Sequence, residues 1–598
     1  MSRVRQPGFQ PAQTRGRVRL STLAEITPVV MTVVAGLFCY LLFYNRGLGL
    51  SVIGYNIAPA ERVMQGEVPY RDFLFNYTPG ILWLNSLLMK VFGVTLMTTR
   101  IGLLAFKLGA LLLLFVAGKR LTNGWVALVP VGLTLSWLGY GQVFNVYPDQ
   151  YIMPFGLAGL ICILRYDSSG RLKWLVWCGL MTGAAFLFKH NVGALLAGAA
   201  TVGVAVREWI ATRRIRPSLR AASVFVAAFG TVVALLVAYL LFTRSLSAMV
   251  AHFLHHAAEY SESRSASLPP PDLLVPVAVI GLAVFGFAFV LLFISARVLE
   301  AYTFMTLAAG SIILFRAQRG DVPNDAMLAS VAYMPPALFF GTLLLMLWQL
   351  IRNRHDLSYW WNSNGPLVIT GLFALAIYLE VFPRADYYHL VRVLPPVFLF
   401  LVVCLYRTLP VLNRRMKAVI ERPARAAMLT AAIPIVFLVA IGLNNTWAPE
   451  FDSSLHFNDK RELAIARGKG MFVEERQAEL TEGLVKLIEA NSSPGDYIFS
   501  FAQRGSALYF LANRPNPTRF LWWRSVGISS DEREAVMAMI ADRRAKLIIV
   551  QDVAANKEIQ DFIGENYEQV GTVADIAVYG LRLREREKLN AEDRKPVL

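Results

Sequence analysis

Apolar runs long enough to cross a bilayer, repeated along most of the chain, decide what it can fold into. A transmembrane helix needs about 20 consecutive, mostly apolar residues, because hydrocarbon offers no partner to an exposed peptide group. Thirteen runs fit, near 26–44, 98–118, 124–143, 150–165, 174–189, 191–207, 220–243, 273–296, 299–316, 328–351, 365–382, 393–407 and 426–444. The run at 299–316 is the weakest, since it carries Glu300, and those at 124–143 and 150–165 are short for full spans. The expected fold class is a polytopic α-helical membrane protein of about 13 transmembrane helices with a C-terminal extracytoplasmic α/β domain. With 56% hydrophobic and only 17% charged residues, neither a large soluble enzyme nor a disordered chain is compatible.

The net charge of +17 is topological. Cytoplasmic loops collect Lys and Arg. With residues 1–25 inside, 24 of the 37 basic residues before position 445 fall on inner segments, among them Arg3, Arg5, Arg15, Arg17 and Arg19. The excess therefore argues nothing for nucleic acid. No small-residue cleavage site follows the first span, which reads as uncleaved. Thirteen spans over 26–444 carry the C-terminus outside. From 445 to 598 the chain holds 21 Lys+Arg against 24 Asp+Glu and alternates buried strands (496–501, 546–551) with helices (506–513, 531–544, 556–567). That region lacks GxxxxGK and GxGxxG, so no nucleotide chemistry is indicated. Cys39, Cys162, Cys178 and Cys404 all lie in apolar runs without paired spacing, which excludes a zinc or disulfide framework.

Polar residues beside the spans are the candidate site, because ionisable groups at lipid depth either work or pair with one another. The first outer loop, 46–97, carries Glu61 and Arg62 on a short helix, then Tyr70-Arg71-Asp72-Phe73, then an amphipathic helix at 79–92 with Lys90. It is either a solvated loop with ordinary ion pairs or a working one. Asp149 follows Pro148, as an early-turn carboxylate favoured by the helix dipole or as a catalytic or substrate-orienting group. Lys189-His190-Asn191 is an interface anchor or a phosphate-binding set. His252 and His256 share a helix face, but no HExxH accompanies them and no metal ligand set is assigned. Arg384, Asp386, Tyr387, Tyr388, His389 and Arg392 form the densest cluster, suited to capture of a phosphate and to contacts with a sugar.

Gly66…Tyr70-Arg71-Asp72, Asp149 and His389…Pro395, in that order and on one face, resemble the motifs of the GT-C superfamily of integral-membrane glycosyltransferases. The bacterial protein-mannosyltransferase-like and aminoarabinose-transferase-like enzymes are the nearest in pattern. The resemblance covers the whole chain in topology and short stretches in sequence. It implies transfer of a sugar from a polyprenyl-phosphate donor to a lipid, glycan or protein acceptor at the outer face of the bacterial inner membrane, with the 445–598 domain periplasmic. It also implies a carboxylate base (Asp149, with Asp72 in support and Glu61 adjacent) and a phosphate-binding set of Arg71, Lys189, Arg384 and Arg392, assisted by His190 and His389. No cofactor is implied; a divalent metal is possible chemically but not indicated. One departure stands out: relatives commonly carry an Asp-Glu pair about fourteen residues before the loop glycine, where this chain has Val52 and Ile53. The alternatives are a polytopic transporter or flippase, a polysaccharide ligase, and a non-catalytic GT-C-like protein.

Overall fold

The computed structural model describes residues 17–138, 144–264, 324–382, 387–416, 423–447, 460–502, 505–521, 523, 530–551 and 557–582. Helix α1 (Arg17–Leu41) leads into the first loop. There a continuous helix runs as α2 (Leu50–Val52), a π turn over Ile53–Ile57, and α3 (Ala58–Met64). After it come α4 (Gly80–Phe92), α5 (Leu96–Leu121), α6 (Leu128–Ser136), α7 (Pro148–Ser169), α8 (Lys173–Phe188), α9 (His190–Thr212), α10 (Ile215–Phe242) and α11 (Leu246–Arg264). Beyond residue 323 the bundle continues as α12 (Asn324–Arg352), α13 (Leu357–Tyr378), α14 (Tyr387–Met416) and α15 (Pro423–Trp447).

Among the described residues, six helices are long and apolar enough to cross a membrane: Leu96–Leu121, His190–Thr212, Ile215–Phe242, Val331–Arg352, Leu357–Val381 and His389–Arg414. The expected spans at 273–296 and 299–316 lie outside the described residues. Of the expected span at 124–143, the described residues 124–138 are helical over Leu128–Ser136 alone. Nine residues rise about 14 Å, under half of a ~30 Å hydrocarbon core. Asn123 opens this segment by accepting from the Trp125 and Val126 amides, and the Trp137 indole closes it by donating to the Leu438 carbonyl. Helix α6 therefore wedges between α14 and α15 instead of standing alone in lipid.

The break between α8 and α9 is a single residue. Lys189 adopts an extended conformation (φ −152°, ψ 103°) and ends one helix while opening the next. The two helices then pack so closely that a Cβ on Gly193 would stand 2.3 Å from the Phe186 Cα, so only glycine fits. The first loop plugs onto this corner, with the Thr78 hydroxyl donating to the Phe186 carbonyl at 2.7 Å.

After residue 459, β1 (Lys460–Glu462) pairs antiparallel with β2 (Phe472–Glu474), and α16 (Glu475–Asn491) follows. A four-stranded mixed sheet has the order β3-β4-β6-β5: β3 (Ile498–Ser500) runs parallel to β4 (Leu547–Val550), and β6 (Ile576–Leu581) runs antiparallel to both β4 and β5 (Tyr567–Val573). Helices α17 (Ala507–Leu511), α18 (Ser530–Asp542) and α19 (Lys557–Asn566) connect the strands. Phe499, Phe501, Trp523, Ile540, Ile548 and Ile563 form a separate apolar core here.

This region grips the first loop along its length. The Gly47 amide donates to the Phe472 carbonyl at 2.9 Å and the Phe472 amide to the Asn45 carbonyl at 2.8 Å. Gly54, on the π turn, lies against Ser506 so tightly that a Cβ would meet the serine Oγ at 2.0 Å. The Leu74 amide donates to the Arg519 carbonyl at 2.9 Å.

Candidate active site

Asp149 is the hinge of a buried charged layer. Tyr147 is extended, Pro148 occupies the first turn of α7, and Asp149 follows at 4% exposure. Proline is preorganised for that position, and the unsatisfied amides of a helix start favour a carboxylate there. Arg392 of α14 donates through Nη1 to Asp149 Oδ2 at 2.7 Å, while its guanidinium lies 4.2 Å from the Tyr147 ring centroid. The second oxygen, Oδ1, is buried without a hydrogen-bond partner. Lys189 and His389 are further neighbours of Asp149.

Two lysines extend the layer. Lys189, held out of helix by the α8–α9 break, is ion-paired with Glu380, which sits in a 3-10 turn at Leu379–Val381 after α13; its ammonium is also 5.6 Å from the Tyr77 ring of the first loop. Lys107, projecting from α5, donates to Gln150 Oε1 at 2.7 Å and lies 5.6 Å and 5.9 Å from the Phe144 and Tyr40 rings. Lys107, Asp149, Gln150 and Arg392 line a small cavity whose other walls are mainly apolar, including Leu111, Leu157 and Phe398. Five charge-bearing elements far apart in sequence, α5, α7, the α8–α9 break, the 3-10 turn and α14, thus meet inside the bundle. Such a layer can hold an anion, and the free Oδ1 can accept a proton from a hydroxyl placed in the cavity.

The other candidates fall elsewhere. Arg71 and Asp72 pair with each other in the first loop, Nη2 to Oδ2 at 2.8 Å, with side chains 50% and 30% exposed. Hydrogen bonding from Arg71, with help from the Val68 amide at 2.7 Å, holds the Asp72 carboxyl below the usual carboxylate range. Glu61 is engaged at both oxygens by Arg467, at 2.7 and 2.8 Å, and this ties the first loop to the C-terminal region instead of joining the Asp149 layer. His190 stacks on Phe253 at 4.5 Å with its Nδ1 buried and without a hydrogen-bond partner. Arg384 and Asp386 lie outside the described residues. His252 bonds Asn76 at 2.8 Å, and no group of three or more His, Cys, Asp or Glu gathers among the described residues. Val52 and Ile53 are 4% and 1% exposed, at the start of the π turn that carries the fully buried Asn56.

Sequence reading missed Lys107, Glu380 and Arg467. The first two had a signal: each is a charge inside an apolar run, and a buried charge needs a partner. Arg467 had none, since its partner is 406 residues away.

The Glu61–Arg467 pair gives a direct test. Arg467→Ala should destabilise the protein by about 1–3 kcal/mol, the cost of stranding a mostly buried polar partner, and Arg467→Met with Glu61→Gln should recover most of that. Thermal unfolding of the purified variants reads it out, and a single variant as stable as wild type would remove the pair from the energetics.

Residues 76–233, which contain Asp149 and Lys189, match the family model described as dolichyl-phosphate-mannose-protein mannosyltransferase. Over 93% of its length the chain is similar in structure to the Archaeoglobus fulgidus oligosaccharyltransferase solved in complex with Zn and sulfate, covering 73% of that chain at a TM-score of 0.50 and 11% identity. At this identity the likeness is one of fold. With six helices long and apolar enough to cross a membrane among the described residues, the chain is a multi-pass membrane protein. It is also similar to ArnT from Cupriavidus metallidurans in the apo state, with 94% of this chain and 98% of that one covered, a TM-score of 0.48 and 13% identity. No curated protein matches it.

Proposed function

We propose that this membrane protein is a glycosyltransferase of the GT-C type, which transfers a sugar from a polyprenyl-phosphate-linked donor to a lipid, glycan or protein acceptor on the outer face of the membrane. The buried layer of Asp149, Arg392, Lys107 and the Lys189–Glu380 pair beside an apolar-walled cavity carries the reading. It supplies what an amphiphilic phosphate needs: cations and, beside them, apolar walls. The family match over 76–233 supports a dolichyl-phosphate type of donor. The N-terminus is cytoplasmic in this reading and the 445–598 region periplasmic, in a bacterial inner membrane.

The chemistry follows from the layer. An acceptor hydroxyl hydrogen-bonds to Asp149 Oδ1, loses its proton to that carboxylate, and forms the new bond to the sugar's anomeric carbon. The bond from that carbon to the carrier phosphate breaks, and Lys107, Lys189 and Arg392 stabilise the charge left on the phosphate. Asp72 and Arg71, on the exposed part of the first loop, are assigned to an entering acceptor or headgroup. No nucleotide takes part.

Binding of undecaprenyl phosphate to the nanodisc-reconstituted protein tests the proposal. Lys107→Met leaves only neutral Gln150 without a partner, so the fold should hold, while affinity for the carrier should fall about ten- to hundredfold, the worth of one charge-assisted hydrogen bond. Equal binding of the uncharged polyprenol would overturn the reading. Buried, apolar Val52 and Ile53 favour a second reading, in which the site holds the carrier without turning it over. Saturable carrier binding with no sugar transfer to any class of acceptor distinguishes it.

A further inference from the structure

Behind the first loop lies a second buried charge that the transfer chemistry does not use. Arg100, near the start of α5, is 3% exposed. Its Nη2 donates to the Gly47 carbonyl at 2.8 Å, and its Nη1 has no partner. No carboxylate pairs with it among the described residues; its electrostatic neighbour is the Tyr151 hydroxyl, which in turn faces the Asn85 amide of α4. Tyr151 and Asn85 are both fully buried, and the tyrosine ring is fixed by stacking on Phe188, with centroids 5.6 Å apart and planes 8° apart. No hydrogen bond of normal geometry closes the group: Arg100 Nη1, Tyr151 OH and both side-chain heteroatoms of Asn85 are without partners.

A guanidinium removed from water needs a countercharge, since neutral dipoles do not cancel its net charge and an uncompensated buried ion is strongly destabilising. Three of the four unpartnered atoms are donors. The amino-terminal ends of α5 and α7, where Arg100 and Tyr151 sit, add positive potential at the same place. The side chains are at most 3% exposed, so the partner is small and enters without its hydration shell. That excludes a lipid headgroup and favours a halide, which takes N–H and O–H donors from any direction.

We infer that Arg100, Tyr151 and Asn85 bind a chloride-class anion that fastens α4 of the first loop to the starts of α5 and α7. The site is separate from the Asp149 layer, and the inference does not depend on the transfer reading.

Thermal unfolding of the full-length protein in neutral-lipid nanodiscs, with chloride exchanged for gluconate at constant ionic strength, tests it. Wild type should gain stability saturably with chloride, as mass action requires for a ligand bound only by the folded state, and should gain none with gluconate. Arg100→Gln should abolish the dependence. Tyr151→Phe, which keeps the ring stack, should raise the half-saturating chloride concentration about tenfold, as expected for one lost hydrogen bond, and it secures the test if Arg100→Gln fails to fold. A transition indifferent to chloride would overturn the inference. So would equal stabilisation by every anion, saturation by phosphate alone, or a chloride dependence that survives in Arg100→Gln.

Discussion

Asp149→Asn should cut sugar transfer by about 10²–10⁴-fold, the span usual for loss of a positioned general base, while leaving carrier binding intact or tighter. The two effects separate because Asp149 has two jobs. Its Oδ2 neutralises Arg392 and its Oδ1 is unengaged. Asparagine keeps the shape and one acceptor but cannot take a proton. Removing the negative charge also frees Arg392 to face a phosphate without competition. A misfolded variant would lose binding and turnover together, so the split reports on chemistry. Turnover should be measured below the unfolding transition, because uncoupling a buried pair costs about 3–5 kcal/mol. Wild-type turnover in the folded variant would discard Asp149 as the base.

Lys189→Met should produce the largest loss of stability, about 3–5 kcal/mol. It leaves the Glu380 carboxylate, with a side chain 2% exposed, without its cation. Adding Glu380→Gln removes the stranded charge and should restore most of the stability. Carrier binding should stay weakened in the double variant, because the phosphate has lost a cation that Glu380→Gln does not replace. Chemical unfolding and undecaprenyl phosphate binding, measured on the same three proteins, read the two quantities. If the double variant recovers binding as well as stability, Lys189 serves the fold alone.

Much of this was legible along the chain. Apolar runs near 20 residues mark helices because lipid forbids any other open backbone, and α5, α9, α10 and α13 lie on such runs. Pro148-Asp149 marks a helix start, and α7 begins there. The exception is instructive: 124–143 is apolar enough to suggest a span, yet Leu128–Ser136 stays short because Asn123 and Trp137 fix its ends by local capping and a bond to α15. Hydropathy records preference for an apolar setting and is blind to whether lipid or protein supplies it.

The site divides in the same way. Arg71 and Asp72, adjacent in sequence, pair with each other; proximity along the chain made both conspicuous and left them at the surface. Lys107 and Glu380 were inconspicuous because one charge barely changes the average of a long apolar run. The sequence by itself determined which stretches are helical and apolar, where the charges collect, and that Val52 and Ile53 supply no acid. Tertiary structure alone decided that Asp149 meets Arg392 across 243 positions, that Lys189 meets Glu380 across 191, and that Arg100 is buried with no carboxylate partner among the described residues. The reason is energetic: a charge in a low-dielectric bundle must find a partner at its own depth, and only helix packing sets which residues share a depth.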